Sequence, residues 1–384
     1  MHIAIDAHSV GAQLGGNESY ATHLIEALAE IDQDNCYFLY VTKQAALDRF
    51  DNRWSNFKVI RTLPHTPLVR IPLTLSKELR HHRVDLLHVQ YTAPPFPPCP
   101  VVVTIHDLSF EHLPETFKRR SVAQLRFTVR RSARRAARIL TSSEFSRRDI
   151  VETYGIEPDR VALTPLAAPT YFAPVLNETK LKDIRESYGI AREYILSLGS
   201  IQPRKNLVRL IDAYLCLRRE RPQSKLPQLV LAGKRGWLDN EIFRAADREG
   251  CGGDILFTGY VPERDLPALF SGAISFVYPS IFEGFGLPVI EAMQCGAPVI
   301  AGNRTSLPEV VGDAGWLFDP FDTKALCDAL RQVIDDRELR ERLRQKGLKQ
   351  AKKFNWRSTA ELTLQAYQEA ISPGSRLRKN WLVG

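Results

Sequence analysis

The sequence predicts an α/β protein built from two doubly wound, Rossmann-like units, and three observations lead there. Short β-branched and apolar runs alternate with amphipathic helical patterns along the chain, which is the signature of parallel sheets covered on both faces. At 384 residues the chain exceeds the size at which one core stops growing. The alternation also restarts after an aperiodic stretch, APTYFAPVLNET, that carries two prolines and marks a hinge near 168–180. The expected units are 1–170 and 171–355, with a helix and tail over 356–384 returning to the first.

In the first half, strands are expected at HIAID, CYFLYV, FKVIRTL, DLLHV, VVVTIHD, RILTSS and RVALTPL. Periodic segments at 17–31, 72–83, 118–137 and 144–154 read as the helices between them. In the second half, YILSLGS, QLVLAG, ILFTGY, ISFVYPS, PVIAG and GWLFD read as strands, with helices at 206–220, 239–248, 263–271, 287–295 and 322–335. The stretch after Phe354 is another amphipathic helix, and the final SRLRKNWLVG is basic.

Composition narrows the class. The chain is 44% hydrophobic and 25% charged, ordinary for a folded soluble protein. Six scattered cysteines form no Cys-x-x-Cys pair and no zinc-spaced cluster, which fits a reducing compartment. Met1 is followed by a strand rather than by a secretory leader, and no apolar run reaches membrane-spanning length, so a cytoplasmic protein is expected. The net charge of +8 is uneven, because the Lys118–Arg148 segment holds eleven basic residues against one acid. Val122, Leu125, Val129, Ala133 and Ala136 give it one apolar face, leaving arginines on the others. That pattern suits a solvated face or an anionic membrane surface, and no nucleic-acid motif accompanies it.

In doubly wound sheets ligands bind beyond the carboxyl ends of the strands. The rule selects the 11–17 loop with Gly15 and Gly16, His106-Asp107, and in the second half 199–206, 233–237, 259–263 and the EGFGLP loop. Glu283 and Glu291 lie eight residues apart around a glycine turn and a helix start near Leu287, where Pro288 costs no hydrogen bond. Arg204 and Lys205 supply positive charge suited to a diphosphate, and glutamates accept from hydroxyls. Each signal is weak alone. A glycine pair can be only a tight turn, and adjacent acids occur by chance.

Together, GSIQPRKNLVRLIDAY, LVLAGK, ILFTGYVPERDLPALFSGA, VYPSIFEGFGLPVIEAMQCGAPVIAGN and LPEVVGDAGWLFDP resemble the retaining glycosyltransferases of family four, which have the GT-B fold. The first half resembles them more loosely, through its strand–Gly-Gly–helix opening and TIHDLSFEHLPE. The resemblance implies two Rossmann-like domains facing across a cleft that holds a nucleoside-diphosphate sugar. It implies that Glu283 contacts sugar hydroxyls and Glu291 the ribose, and that Phe285, Gly286 and Leu287 offer backbone contacts. Arg204 and Lys205 would neutralise the leaving diphosphate beside Gly199, His106 would lie near the anomeric centre, Gly16 would close the phosphate side, and Val261 would meet the base.

The expected reaction is retaining transfer of a hexose, with mannose from GDP-mannose favoured over UDP-sugars, onto a lipid-linked or polysaccharide acceptor. No cofactor and no metal are expected. The one Asp-x-Asp, Asp32-Gln33-Asp34, follows the first helix at the far edge of the sheet and reads as a solvated turn. Glu309 and Asp313 read as loop-fixing acids. A nucleotide-sugar 2-epimerase and a non-catalytic sugar-nucleotide-binding subunit are the competing readings. The basic segment fits a peripheral position at the inner face of the plasma membrane.

Overall fold

A computed structural model describes residues 1–12, 15–221, 226–248 and 253–372. Gln13 and Leu14 of the glycine loop, Cys251 and the basic tail 375–384 lie outside the described residues.

The chain divides into two compact units, one formed by Met1–His112, Arg119–Leu166 and Trp356–Gly384, the other by Leu113–Lys118 and Ala167–Asn355. In the first unit β1 (His2–Asp6), β2 (Cys36–Val41), β3 (Phe57–Arg61), β4 (Leu86–Gln90), β5 (Val101–Thr104), β6 (Arg138–Thr141) and β7 (Val161–Leu163) make one sheet in the order β3-β2-β1-β4-β5-β6-β7. In the second, β8 (Tyr194–Leu198), β9 (Gln228–Ala232), β10 (Ile255–Gly259), β11 (Ser275–Tyr278), β12 (Val299–Gly302) and β13 (Trp316–Phe318) follow the order β10-β9-β8-β11-β12-β13. The pairings β1–β4 and β8–β11, like their neighbours, are parallel. Strands such as Val101–Thr104 are buried at every position, which explains why they read as continuous apolar runs rather than as alternations.

Each sheet has one point where the strand order reverses, between β1 and β4 in the first unit and between β8 and β11 in the second. There, neighbouring connections leave in opposite directions and open a crevice beyond the carboxyl ends of the strands.

Local chemistry sets the helix ends. Ser143 caps Glu144–Tyr154 by accepting from the Ser146 N–H, and Gly155 ends it in the left-handed region at φ 64°. Asp322 and Asp336 cap Thr323–Asp335 and Arg337–Ala351 in the same way. The helices that periodicity does not mark, Gln44–Phe50, Glu178–Ser187 and Arg337–Ala351 among them, are short or heavily charged, and the last of these buries only a narrow stripe through Leu343, Gly347 and Ala351.

The helix expected at 72–83 is instead a π-helical turn, Arg70–Leu75, running into the α-helix Ser76–His81. Pro72 has no N–H to give the α ladder, so the backbone widens around it. The C-terminal helix Trp356–Ile371 packs within the first unit: the Trp356 ring lies 5.6 Å from His23, and Tyr367 Oη meets His88 Nδ1 at 2.6 Å.

Candidate active site

The second unit gathers its chemistry at the reversal between β8 and β11. After β8 a short 3-10 turn, Pro203–Lys205, presents Arg204 and Lys205. Asn206 ends the turn in the left-handed region at φ 57° and anchors it by donating to the Pro279 and Pro320 carbonyls at 3.1 and 2.7 Å. The loop after β11 carries Glu283, and the two loops are stitched together where Ile281 N–H donates to the Arg204 carbonyl at 3.1 Å, an oxygen that Ser280 Oγ also approaches at 3.1 Å.

Arg204, Lys205 and Glu283 form an ion triad. Lys205 Nζ donates to Glu283 Oε1 at 2.7 Å, and Arg204 Nη1 lies 3.0 Å from Oε2. Ser280 Oγ donates to Oε1 as well, and Lys205 Nζ also donates to Tyr278 Oη, 4.6 Å above that ring. Burial pushes the Glu283 carboxyl up, but the Arg204 and Lys205 charges and the bonds from Lys205 and Ser280 outweigh it and bring it to about 2. The triad therefore carries one net positive charge at neutral pH. Lys205, Ser280, Arg204 and the Tyr278 hydroxyl thus surround the carboxylate. The sequence reading treats the two cations as diphosphate ligands and Glu283 as a separate hydroxyl acceptor. The structure joins the three into one unit.

Gly199, directly after β8, leaves room for this arrangement. A Cβ there would sit 3.3 Å from Lys205 Cε, and φ is +152°. A small concavity beyond β8, β9 and β11 is lined by Gly199, Lys205, Leu231 and Tyr278.

The helix Leu287–Gln294 begins beside the triad, with Pro288 as its second residue. Gly286 precedes it at φ +96°, a backbone that disfavours any side chain, and a Cβ there would press on Leu307 Cδ2 at 2.6 Å. Phe285, Leu287 and Glu291 are buried, and the Phe285 ring packs edge-on against Phe354 at 5.5 Å. Val261 is buried just beyond β10. Thr305 and Ser306 hold the Glu283 backbone: Glu283 N–H donates to Thr305 Oγ1 at 3.0 Å, and Ser306 Oγ donates to the Glu283 carbonyl at 2.9 Å.

In the first unit, Gly15 precedes the helix Gly16–Ile31 at φ 61°, and a Cβ at Gly16 would meet nothing within 4 Å. His106 lies just beyond β5 with its ring half-buried, edge-on to Tyr20 at 4.7 Å. Burial lowers its pKa to about 4, Asp107 opposing, so the ring is neutral at pH 7. Gln90, at the end of β4, fixes the tautomer. Its Nε2 donates to the Asn17 carbonyl and to Ser9 Oγ, each at 3.2 Å, so Oε1 faces His106 Nε2 at 3.1 Å. A carbonyl oxygen can only accept, so Nε2 carries the proton and Nδ1 is the acceptor. Behind it, Tyr20 Oη, Thr104 Oγ1 and His88 Nε2 form a buried chain with contacts of 2.8 and 2.7 Å. Sequence reasoning missed Gln90, Tyr278 and Ser280 as site residues, although the strand-end rule that selects His106 also passes through all three.

Two expectations about the acids resolve differently. Asp32 is buried, not solvated: it accepts from Tyr37 Oη, from Asn35 Nδ2 at 2.7 Å and from the Asp34 N–H at 2.9 Å, which fastens the turn after the first helix. Asp313 is an exposed loop acid bound to Lys346 Nζ at 2.9 Å. Among the described residues Cys216, Glu220 and Cys327 bring three potential ligand atoms within 4.8 Å. Arg331 occupies that place, donating to Glu220 at 2.8 Å and to Cys327 Sγ at 3.6 Å.

Comparison with known proteins follows the same division. Residues 14–170 match the family description Glycosyltransferase Family 4, and residues 182–350 match Glycosyl transferases group 1. The O-antigen chain mannosyltransferase B of Escherichia coli is 40% identical over 268 residues, covering 70% of each chain. The serotype-specific mannosyltransferase WbdA of Escherichia coli is 34% identical over 239 residues, 62% of this chain and 29% of that longer protein. In fold, the sucrose-phosphate synthase of Thermosynechococcus elongatus superposes with a TM-score of 0.76 at 20% identity, over 96% of this chain and 98% of its own. Two Rossmann-like units of the GT-B class, matched in sequence across both halves, make this chain a glycosyltransferase of family four.

Proposed function

We propose that the chain transfers mannose from GDP-mannose, with retention of anomeric configuration and without a metal ion, to a lipid-linked oligosaccharide or polysaccharide. As a glycosyltransferase it takes a nucleotide-sugar donor and a glycan acceptor. The observation that carries the finer reading is the Arg204–Lys205–Glu283 triad at the reversal of the second sheet. Breaking the anomeric C–O bond leaves negative charge on the diphosphate. A fixed, partly desolvated net positive charge next to a helix start stabilises that charge more in the transition state than in the ground state.

Glu283 accepts a hexose hydroxyl, and Glu291 accepts from the ribose. The Phe285–Leu287 backbone and Gly199 line the sugar and phosphate, with Val261 toward the base. His106, neutral and with Nδ1 bare, accepts from a hydroxyl near the anomeric carbon, while Gly16 closes the phosphate side. The mannosyltransferase relatives favour mannose over glucose or N-acetylglucosamine.

The test is transfer from labelled GDP-mannose to a lipid-linked O-antigen fraction in EDTA. The expected product carries label that α-mannosidase releases, since the donor is itself the α-anomer. Label arriving only from UDP-sugars, or transfer that needs added Mn2+, overturns this reading.

The same proposal places the enzyme at an anionic membrane surface through the helix Arg119–Arg135. Val122, Val129 and Ala133 are buried beneath it. Arg120, Phe127 and Arg134 recur at seven-residue spacing on the outer stripe, where Phe127 is 71% exposed. An aromatic ring set among arginines suits the headgroup boundary. No helix among the described residues is long and apolar enough to cross a membrane. Flotation with vesicles containing 30% phosphatidylglycerol is expected to carry the protein upward at low salt, and Phe127→Ser with Arg130→Ser to leave most of it behind. Equal flotation on neutral vesicles removes the electrostatic part of the proposal.

A further inference from the structure

Beyond the carboxyl ends of β1, β2 and β3, on the other side of β1 from Gln90 and His106, the first unit holds a second cluster of charge. Asp6, the last residue of β1, is buried and accepts from Arg70 Nη1 through both oxygens at 2.8 Å. Arg70 is itself 1% exposed, and its Nε and Nη2 are buried with no hydrogen-bond partner. A buried guanidinium with unmet donors is costly, about 1–3 kcal/mol per unsatisfied group, and such groups are uncommon in native folds. His65, exposed, joins its Nδ1 to Thr42 Oγ1 at 2.7 Å, and the charges of Lys43, His8 and Arg70 act on it. The cluster thus sets Arg70, Lys43 and two imidazoles around the Asp6 carboxylate.

The segment that carries Arg70 is unusual in both backbone and surface. It is the π-helical turn Arg70–Leu75 around Pro72, a geometry frequent at functional sites. It buries Arg70 while turning Leu73 outward at 65% exposure, and the residues just before it leave Leu63 54% and Leu68 75% exposed. Nothing in the packing of the unit needs three exposed leucines there, and hydrocarbon is the surface they suit. Positive charge and an apolar rim on one short segment, at the ligand end of the sheet, match a ligand that is both anionic and greasy.

We infer that the 62–75 segment, with Lys43, is an acceptor subsite that binds the phosphate of a lipid phosphate and rests the first part of its chain on Leu63, Leu68 and Leu73. This rests on the reading of the acceptor as lipid-linked. The phosphate meets Lys43 and His65 at the surface, and the unmet donors of Arg70 lie beneath as a second layer of positive field.

Isothermal titration with octyl phosphate below its micelle concentration, with inorganic phosphate and with octanol tests the subsite on the intact protein. Octyl phosphate is expected to bind at least tenfold more tightly than inorganic phosphate, because each buried methylene adds about 0.8 kcal/mol. Octanol is expected to bind too weakly to measure. Lys43→Ala with His65→Ala should weaken both phosphates about tenfold. Leu68→Ser with Leu73→Ser should weaken octyl phosphate alone. These are partly or fully exposed positions, so both double variants are expected to fold, and an unchanged melting temperature rise with GDP-mannose shows that they have. Octyl phosphate affinity equal in wild type and both doubles overturns the subsite. Inorganic phosphate binding as tightly as octyl phosphate overturns its lipid character. If the wild type gives no melting shift with GDP-mannose, the donor reading falls while the phosphate titrations still decide the subsite.

Discussion

Lys205→Ala is expected to lower the rate of sugar transfer several hundredfold while leaving a folded protein. The side chain makes its bonds at one place, donating to Glu283 Oε1 at 2.7 Å and to the Tyr278 hydroxyl. Removing it takes the triad from one net positive charge to zero, at the point where the departing diphosphate gathers negative charge. Loss of one preorganised donor to a developing anion costs about 10²–10³ in kcat. The fall should appear in kcat more than in the donor KM, because the charge it opposes is greatest in the transition state. Arg204 still neutralises Glu283, and Ser280 still donates to it, so the carboxylate is not stranded. Steady-state kinetics with the donor varied give the split. A variant with wild-type kcat ends the assignment of Lys205 to the leaving group.

Glu283→Ala is expected to abolish transfer and to destabilise the second unit as well. Truncation leaves the Arg204 and Lys205 charges, both largely buried, facing each other without their anion. Breaking a buried pair by removing one partner costs about 3–5 kcal/mol. The acid dependence follows from the same residue. Its folded-state pKa is about 2, against an ordinary 4.5, so the carboxylate contributes stability that is complete above pH 4.5 and disappears as pH falls through 2. The shift corresponds to about 3 kcal/mol at neutral pH. Urea unfolding of wild type and Glu283→Gln at pH 7 and pH 3 measures it. The gap between the two proteins should shrink by roughly half at the lower pH, and a gap that does not change contradicts the triad.

Much of the fold is legible in the residues because burial on both faces writes strands as apolar runs. Twelve of the thirteen strands lie inside segments that the sequence marks, β4 running one residue beyond its segment to Gln90, and Glu144–Tyr154 forms over the residues its periodicity gives. Helices fail where their buried stripe is thin, as in Arg337–Ala351, or where a proline interrupts the ladder, as at Pro72. Site residues are legible in proportion to how local their signal is. Glu283, Gly286 and Leu287 share one loop and helix start, so spacing alone brings them together. Gln90 belongs to no such cluster, and only the adjacency of β4 to β5 sets it against His106.

The sequence by itself determines the family, the alternation of strands and helices, and the candidates Arg204, Lys205, Glu283 and Glu291, because these depend on periodicity and on short-range spacing. What only the tertiary structure decides is which charges meet. Glu283 lies 78 residues from Lys205 in the chain, yet the order β9-β8-β11 makes their strands neighbours and turns two cations and an acid into one triad. Arg70 and Asp6 are 64 residues apart, and the segment after β3 reaches past β2 to pair them at the carboxyl end of the other sheet. Hydrogen bonds and ion pairs act over a few ångströms of space, and sheet order, not separation along the chain, sets that distance.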